Sequence, residues 1–223
     1  MKYFQSRSLF DFFKRTDIEQ ILILCSVFSI GLMVWRIIYT GQLLFAFLVW
    51  NLFLAFVPFA ISKKISQVSI CKKWKFIVCS LVWVIFLPNA FYIITDLFHL
   101  DMNEDVPLWY DLALLWSFAW SGLLFGILSV QHMERLFEEH VGKKPGLLFV
   151  LPLMVMNGFG VYIGRYMRFN SWDVLTNPFQ LISDVVYLFV HPIRNRFDCS
   201  MIVCYAILLT LIYYTFKRMT KTL

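Results

Sequence analysis

"KFIVCSLVWVIFLPNAFYIITDLFHLD", residues 75–101, decides the fold. From Phe76 to Ile94 only Ser80 and Asn89 interrupt a run of apolar and aromatic side chains. That is the roughly 20 residues a helix needs to cross the hydrocarbon of a bilayer. Thr95, Asp96, His99 and Asp101 then crowd together where lipid tails give way to water. The stretch reads as a membrane span that ends in a polar site.

The rest of the chain repeats the pattern. Of its 223 residues 60% are hydrophobic and only 15% charged, with a mean hydropathy of +0.71. A soluble domain carries about 25% charged residues, so a water-soluble core cannot hide this much apolar surface. Apolar runs at about 18–39, 42–62, 75–95, 110–131, 147–164 and 199–216 give six spans, with boundaries good to a few residues. The fold class is all-α: a polytopic membrane helix bundle forming one transmembrane domain over residues 1–223. The first two spans are joined by little more than "TGQ" (40–42), a tight hairpin. The segment 178–192, "PFQLISDVVYLFVHP", is apolar but short, bounded by prolines and broken by Asp184. It reads as an interfacial or re-entrant helix, with a seventh span as the alternative.

Lysine and arginine in short loops set the orientation. Lys2, Arg7, Lys14 and Arg15 precede the first span; Lys63, Lys64, Lys72, Lys73 and Lys75 follow the first hairpin. Arg135, Lys143 and Lys144 follow the fourth span, and Lys217, Arg218 and Lys221 end the chain. Six spans put all of these on one face, with both termini cytoplasmic. A seventh would move the basic tail outside. The opposite face receives Asp96, Asp101, Glu104, Asp105 and Asp111, with Arg165, Arg168, Arg194 and Arg196. The net charge of +6 is thus spread over topology signals. No finger, basic recognition helix or aromatic RNA-binding motif accompanies it, so nucleic acid is not an expected partner.

The cysteines, Cys25, Cys71, Cys79, Cys199 and Cys204, are odd in number and form no C-x-x-C, which argues against a disulfide framework or a zinc site. No A-x-A cleavage signature follows the first apolar run, so it reads as a retained helix. There is no G-x-S-x-G, P-loop, H-E-x-x-H or Rossmann glycine pattern; no motif identifies a metal site or a cofactor, and a metal held by Asp96 with His99 stays open as an alternative. Small residues suggest where helices touch. Ala113, Ser117 and Ser121 recur every fourth residue, and Gly122–Gly126 and Gly160–Gly164 are G-x-x-x-G pairs that let backbones approach in lipid. Pro58 and Pro88 each remove a backbone donor and are expected to bend the second and third spans.

Three separated pieces of sequence bring polar groups to one membrane face. Asn89, Asp96, His99, Tyr110 and Asp111 come from the third and fourth spans, and Arg165, Arg168, Asn170 and Asp173 follow the fifth. Asp96 and His99 are three apart and share a helical face; a carboxylate there orients an imidazole or raises its basicity. Asp96, His99 and Asp111 are the catalytic candidates. Asn89, Tyr110, Arg165, Arg168, Asn170 and Asp173 are the substrate-binding ones, because an arginine fork takes phosphate or carboxylate and lipid headgroups lie at this depth. The bland readings stand beside these: internal ion pairs for the arginines, an interfacial belt for Trp109, Tyr110 and Trp172. Asn51 and Asn157, inside spans, are expected to bond across helices. Arg36, beside Trp35 and Tyr39, is expected to snorkel to water. His132 and His140, beside Glu134, Glu138 and Glu139, look like a solvated helix end.

The stretches "WNLFLAFVP" (50–58), "LPNAFYIITDLFHL" (87–100), "WYDLALLWSFAWSGLLFG" (109–126) and "GFGVYIGRYMRFNSWDV" (158–174) resemble the signature blocks of a multi-pass membrane family of bacteria, domain-of-unknown-function family 1361. The resemblance implies a bacterial cytoplasmic membrane location without implying a reaction. It places Asn51, Asn89, Asp96, His99, Asp111, Arg165, Arg168, Asn170 and Asp173 in recurring motifs. Three functions follow as expectations: an enzyme or binder acting on a lipid or lipid-linked anionic substrate at the extracytoplasmic interface, a structural or assembly partner of envelope proteins, and a small transporter or channel. The scarcity of ionisable groups in mid-span weighs against the last.

Overall fold

The computed structural model describes residues 17–67, 73–100, 105–141, 146–167, 169, 176, 178–191 and 193–222. The elements are α1 (Asp17–Thr40), α2 (Phe47–Gln67), α3 (Lys73–Tyr92) continued by a 3₁₀ segment (Ile93–His99), α4 (Leu108–Val141), α5 (Gly146–Arg165), α6 (Pro178–Val190) and α7 (Arg196–Thr222). Among the described residues there is no strand.

Six of these helices are long and apolar enough to cross a membrane, at Asp17–Thr40, Phe47–Ile65, Trp74–His99, Leu108–Glu139, Gly146–Arg165 and Arg196–Met219. They match the six apolar runs of the sequence. The 13-residue α6 is not among them, and only Leu188 of its described side chains is buried, against Tyr162 and Ile202. The chain is a multi-pass membrane protein, and its exposed apolar faces imply a lipid bilayer around it.

The bundle is organised around α4, 72% of whose apolar window is buried against 22–39% for the other spans. α1, α2, α3 and the 3₁₀ segment all pack on it, while α5 pairs with α7, α5 also packs on α3, and α7 touches the far end of α4. At 34 residues and 1.5 Å per residue α4 is about 50 Å long, more than the roughly 30 Å of a hydrocarbon core. Both its ends therefore reach interfacial depth, and Asp111 and Glu134 lie about 35 Å apart along it, one at each face.

The paired glycines and Ser121 lie at close helix contacts. A Cβ at Gly122 would run into Ile93 Cγ2, one at Gly126 would come 2.9 Å from the Phe91 ring, and one at Gly160 2.6 Å from Pro88. Gly158 is tighter in kind, because its added carbon would lie 2.7 Å from the backbone carbonyl oxygen of Ile202 on α7. Ser121 reaches Ser29 of α1, with hydroxyl oxygens 3.4 Å apart. Gly41 closes α1 with a left-handed φ of 70° and donates to the Ile37 carbonyl at 2.8 Å, the usual glycine stop of a helix. α2 and α3 run on through Pro58 and Pro88.

Candidate functional site

At the face where α1 ends and α4 begins, two polar clusters sit side by side. The first is an ion-paired clasp in which both carboxylate oxygens are bonded and one guanidinium nitrogen, Arg36 Nη1, is buried without a hydrogen-bond partner. Arg36 of α1 donates from Nε to Asp111 Oδ1 at 2.7 Å and from Nη2 to Oδ2 at 3.0 Å, a two-pronged fork on a carboxylate. Both residues are buried, at 1% and 3% exposure, and the Phe45 ring covers the guanidinium with 4.6 Å from Cζ to its centroid. The neighbouring Tyr110 donates its hydroxyl to the Leu32 carbonyl at 2.7 Å. Two consecutive residues of α4 are thus pinned to α1. The expectation that Arg36 snorkels is overturned: a carboxylate at the same depth gives it a partner inside the bundle, so it turns away from water.

The second cluster is open. Asp96 is 1% exposed. Asn51 of α2 donates from Nδ2 to Asp96 Oδ2 at 2.8 Å, so this asparagine does bond across helices. The other oxygen, Oδ1, has no hydrogen-bond partner; Arg165 Nη1 of α5 stands 3.9 Å away, at ion-pair range only. The same Nη1 lies 3.1 Å from His99 Nε2. Arginine can only donate, so His99 Nε2 accepts and its ring proton sits on Nδ1. Phe98 lies beneath the guanidinium at 5.3 Å, and Phe47 meets the His99 ring edge-on at 5.1 Å.

Local geometry explains why Asp96 and His99 face the same way. Residues i and i+3 eclipse in a 3₁₀ turn, and both belong to the segment Ile93–His99. The switch from α-helix to 3₁₀ at Tyr92 therefore stacks the two side chains on one line, and Arg165 spans them. Burial of a carboxylate costs free energy that one asparagine and one distant arginine offset only in part.

The other expected residues fall differently. Asp111 is held by Arg36, in the clasp. Asn89, half-buried in α3, donates to the Phe86 carbonyl of its own helix at 3.0 Å. Arg168, Asn170 and Asp173 lie outside the described residues. Among the described residues no group of three or more histidine, cysteine or acidic side chains is placed to hold a metal. Above the clusters, Gln42 donates to Asp105 at 2.9 Å and ties the α1–α2 turn to the start of α4.

Two readings of deeper groups change. Asn157 donates to the Leu153 carbonyl of its own helix at 2.7 Å rather than across helices, and its Oδ1 is buried without a partner. Glu134 is not a solvated helix end. It is 6% exposed and accepts from Lys217 Nζ at 2.6 Å on both oxygens and from Tyr213 Oη at 2.6 Å. His132 lies over Phe59 with centroids 5.6 Å apart, its Nδ1 3.3 Å from the Ser62 hydroxyl. The long α4 carries both residues past α2 and α7, whose side chains cover them.

No curated protein and no solved structure matches the chain. A family model described as "Protein of unknown function (DUF1361)" matches residues 50–212, a stretch that holds Asn51, Asp96, His99, Asp111 and Arg165. The chain belongs to the DUF1361 family.

Proposed function

We propose that the Asp96–His99–Arg165–Asn51 cluster binds the anionic, hydroxyl-bearing headgroup of a lipid or lipid-linked substrate at the extracytoplasmic face of a bacterial cytoplasmic membrane. The observation that carries this is the unshared Oδ1 of a fully buried Asp96, next to an arginine that is not in hydrogen-bond contact with it. A phosphate takes the remaining donors of the Arg165 fork; a hydroxyl donates to Asp96 Oδ1. In an enzyme, Asp96 accepts that hydroxyl's proton and His99, fixed by Arg165, orients the anion. Arg168, Asn170 and Asp173 would complete the site from the chain beyond α5; Asn89 and Tyr110, bonded to the Phe86 and Leu32 carbonyls, are left out of it. Asp111, tied to Arg36, acts on the site only by holding α4 in place.

Soluble headgroups test this without acyl chains. Glycerol 1-phosphate should raise the thermal unfolding temperature of the purified protein, and methyl phosphate, which lacks the hydroxyls, should do so less. Arg165→Ala and Asp96→Asn should each weaken glycerol phosphate binding about tenfold or more, the worth of one charge-assisted hydrogen bond. Variants that bind as the wild type does would refute the reading. If instead neither variant folds, the cluster is a structural clasp, and the assembly-partner reading takes its place. Orientation is checked separately: on a cysteine-free background, Asp105→Cys should react with an impermeant thiol reagent added outside cells, and Lys64→Cys should not.

A further inference from the structure

α1 and α2 are joined by a tight turn, yet α1 packs chiefly on α4 rather than on α2. The two helices part toward the end away from their turn and leave a crevice of about 550 Å³ between them. Leu22, Ser26 and Ile30 of α1 form one wall, Phe53 and Phe56 of α2 the other, and Phe125 of α4 the floor. Phe125 is held by Phe56 and Phe59, each with ring centroids 5.5 Å from its own, so the crevice is built into the packing. At the mouth stand Glu19, Lys63 and Lys64. Glu19 and Lys63 pair at 2.6 Å and cancel. Lys64 is exposed and forms no ion pair among the described residues, leaving one positive charge over an apolar slot.

We infer that this crevice holds one acyl chain of an anionic phospholipid from the leaflet opposite the Asp96 cluster, with the phosphate on Lys64. Three features select that occupant. The volume falls within the roughly 300–1,000 Å³ of ligand sites. From Glu19 to Ile30 the crevice follows 11 residues of α1, about 16 Å, the depth of one leaflet's share of a roughly 30 Å hydrocarbon core. Finally, the sole polar end is cationic and lies where headgroups lie, which suits a phosphate and gives no advantage to a second apolar helix. The site is separate from the proposed headgroup site, since it needs an acyl chain and uses none of the same residues.

Native mass spectrometry of the purified chain with phosphatidylglycerol and phosphatidylcholine tests the assignment. The wild type should retain one phosphatidylglycerol in preference to phosphatidylcholine. Lys64→Gln should reduce that preference about fivefold, the effect of roughly one lysine at a membrane surface. Ala60→Trp, which fills the crevice, should abolish retention, while Leu81→Trp on the lipid-facing side of α3 should leave it unchanged. Equal retention of both lipids by the wild type, unaltered retention in Ala60→Trp, or a dimer that Ala60→Trp dissociates would each overturn it, the last by placing a second copy in the crevice. Failure here leaves glycerol phosphate binding at Arg165 untouched, and the reverse.

Discussion

The two ends of α4 solve the same problem in different ways. At one end Glu134 is buried and every oxygen of its carboxylate is taken, by Lys217 and Tyr213. At the other, Asp111 is equally spoken for by Arg36, but Asp96, as deeply buried, leaves an oxygen unbonded while Arg165 leans toward His99. Satisfied buried charges rigidify a bundle; a partly satisfied one carries a standing cost that a ligand can remove. Arg36 keeps one buried nitrogen without a partner, but both oxygens of Asp111 and of Glu134 are bonded within the bundle, so these two clusters read as clasps; the proposed site is the one whose carboxylate oxygen is unshared.

Breaking the tightest clasp should have the largest effect. Asp111→Ala strands a buried guanidinium and should cost about 3–5 kcal/mol, measured by denaturant unfolding in detergent. Replacing both partners with apolar residues, as in Arg36→Met with Asp111→Leu, should recover much of that loss. Next comes the close packing of α5 on α7: Gly158→Ala sets a carbon against the Ile202 carbonyl, which cannot rotate away, and should cost about 1–3 kcal/mol. Gly126→Ala meets a side-chain ring and should cost less. Glu134→Gln should cost about 2 kcal/mol, less than the Asp111 change, because the Lys217 side chain is 23% exposed and can reach water. The smallest stability change is expected for Asp96→Asn, within about 1 kcal/mol of wild type, since the amide keeps an oxygen for Asn51 and removes a buried charge. A loss there as large as that of Asp111→Ala would erase the distinction between site and clasp.

The sequence made the six spans legible because each is a run of lipid-compatible side chains of the right length, and the glycine pairs because close approach needs small residues wherever the partner lies. Asp96 and His99 were legible as neighbours through their spacing of three. The Arg36–Asp111 fork was not. Its partners are 75 residues apart, and an arginine near a span end has water as an equally good neighbour until the fold shows which way it turns. The burial of Glu134 is hidden for the same reason, since its partner Lys217 lies 83 residues on and its surroundings in sequence are charged. The one signal available was depth: Arg36 stands at the level of an acidic span start, and Glu134 at the level of a basic span end. That Asp96 is open and Asp111 closed depends on which arginine reaches which carboxylate, and spacing holds no record of it.

A high-resolution structure of the protein purified with its native lipids bears most directly on the proposal that Asp96 and Arg165 form a binding site. The account predicts headgroup density between them, with an acidic group on the Arg165 fork and a hydroxyl within hydrogen-bond distance of Asp96 Oδ1. Arg165 closed directly onto Asp96, with both carboxylate oxygens bonded by protein and nothing between, would contradict it.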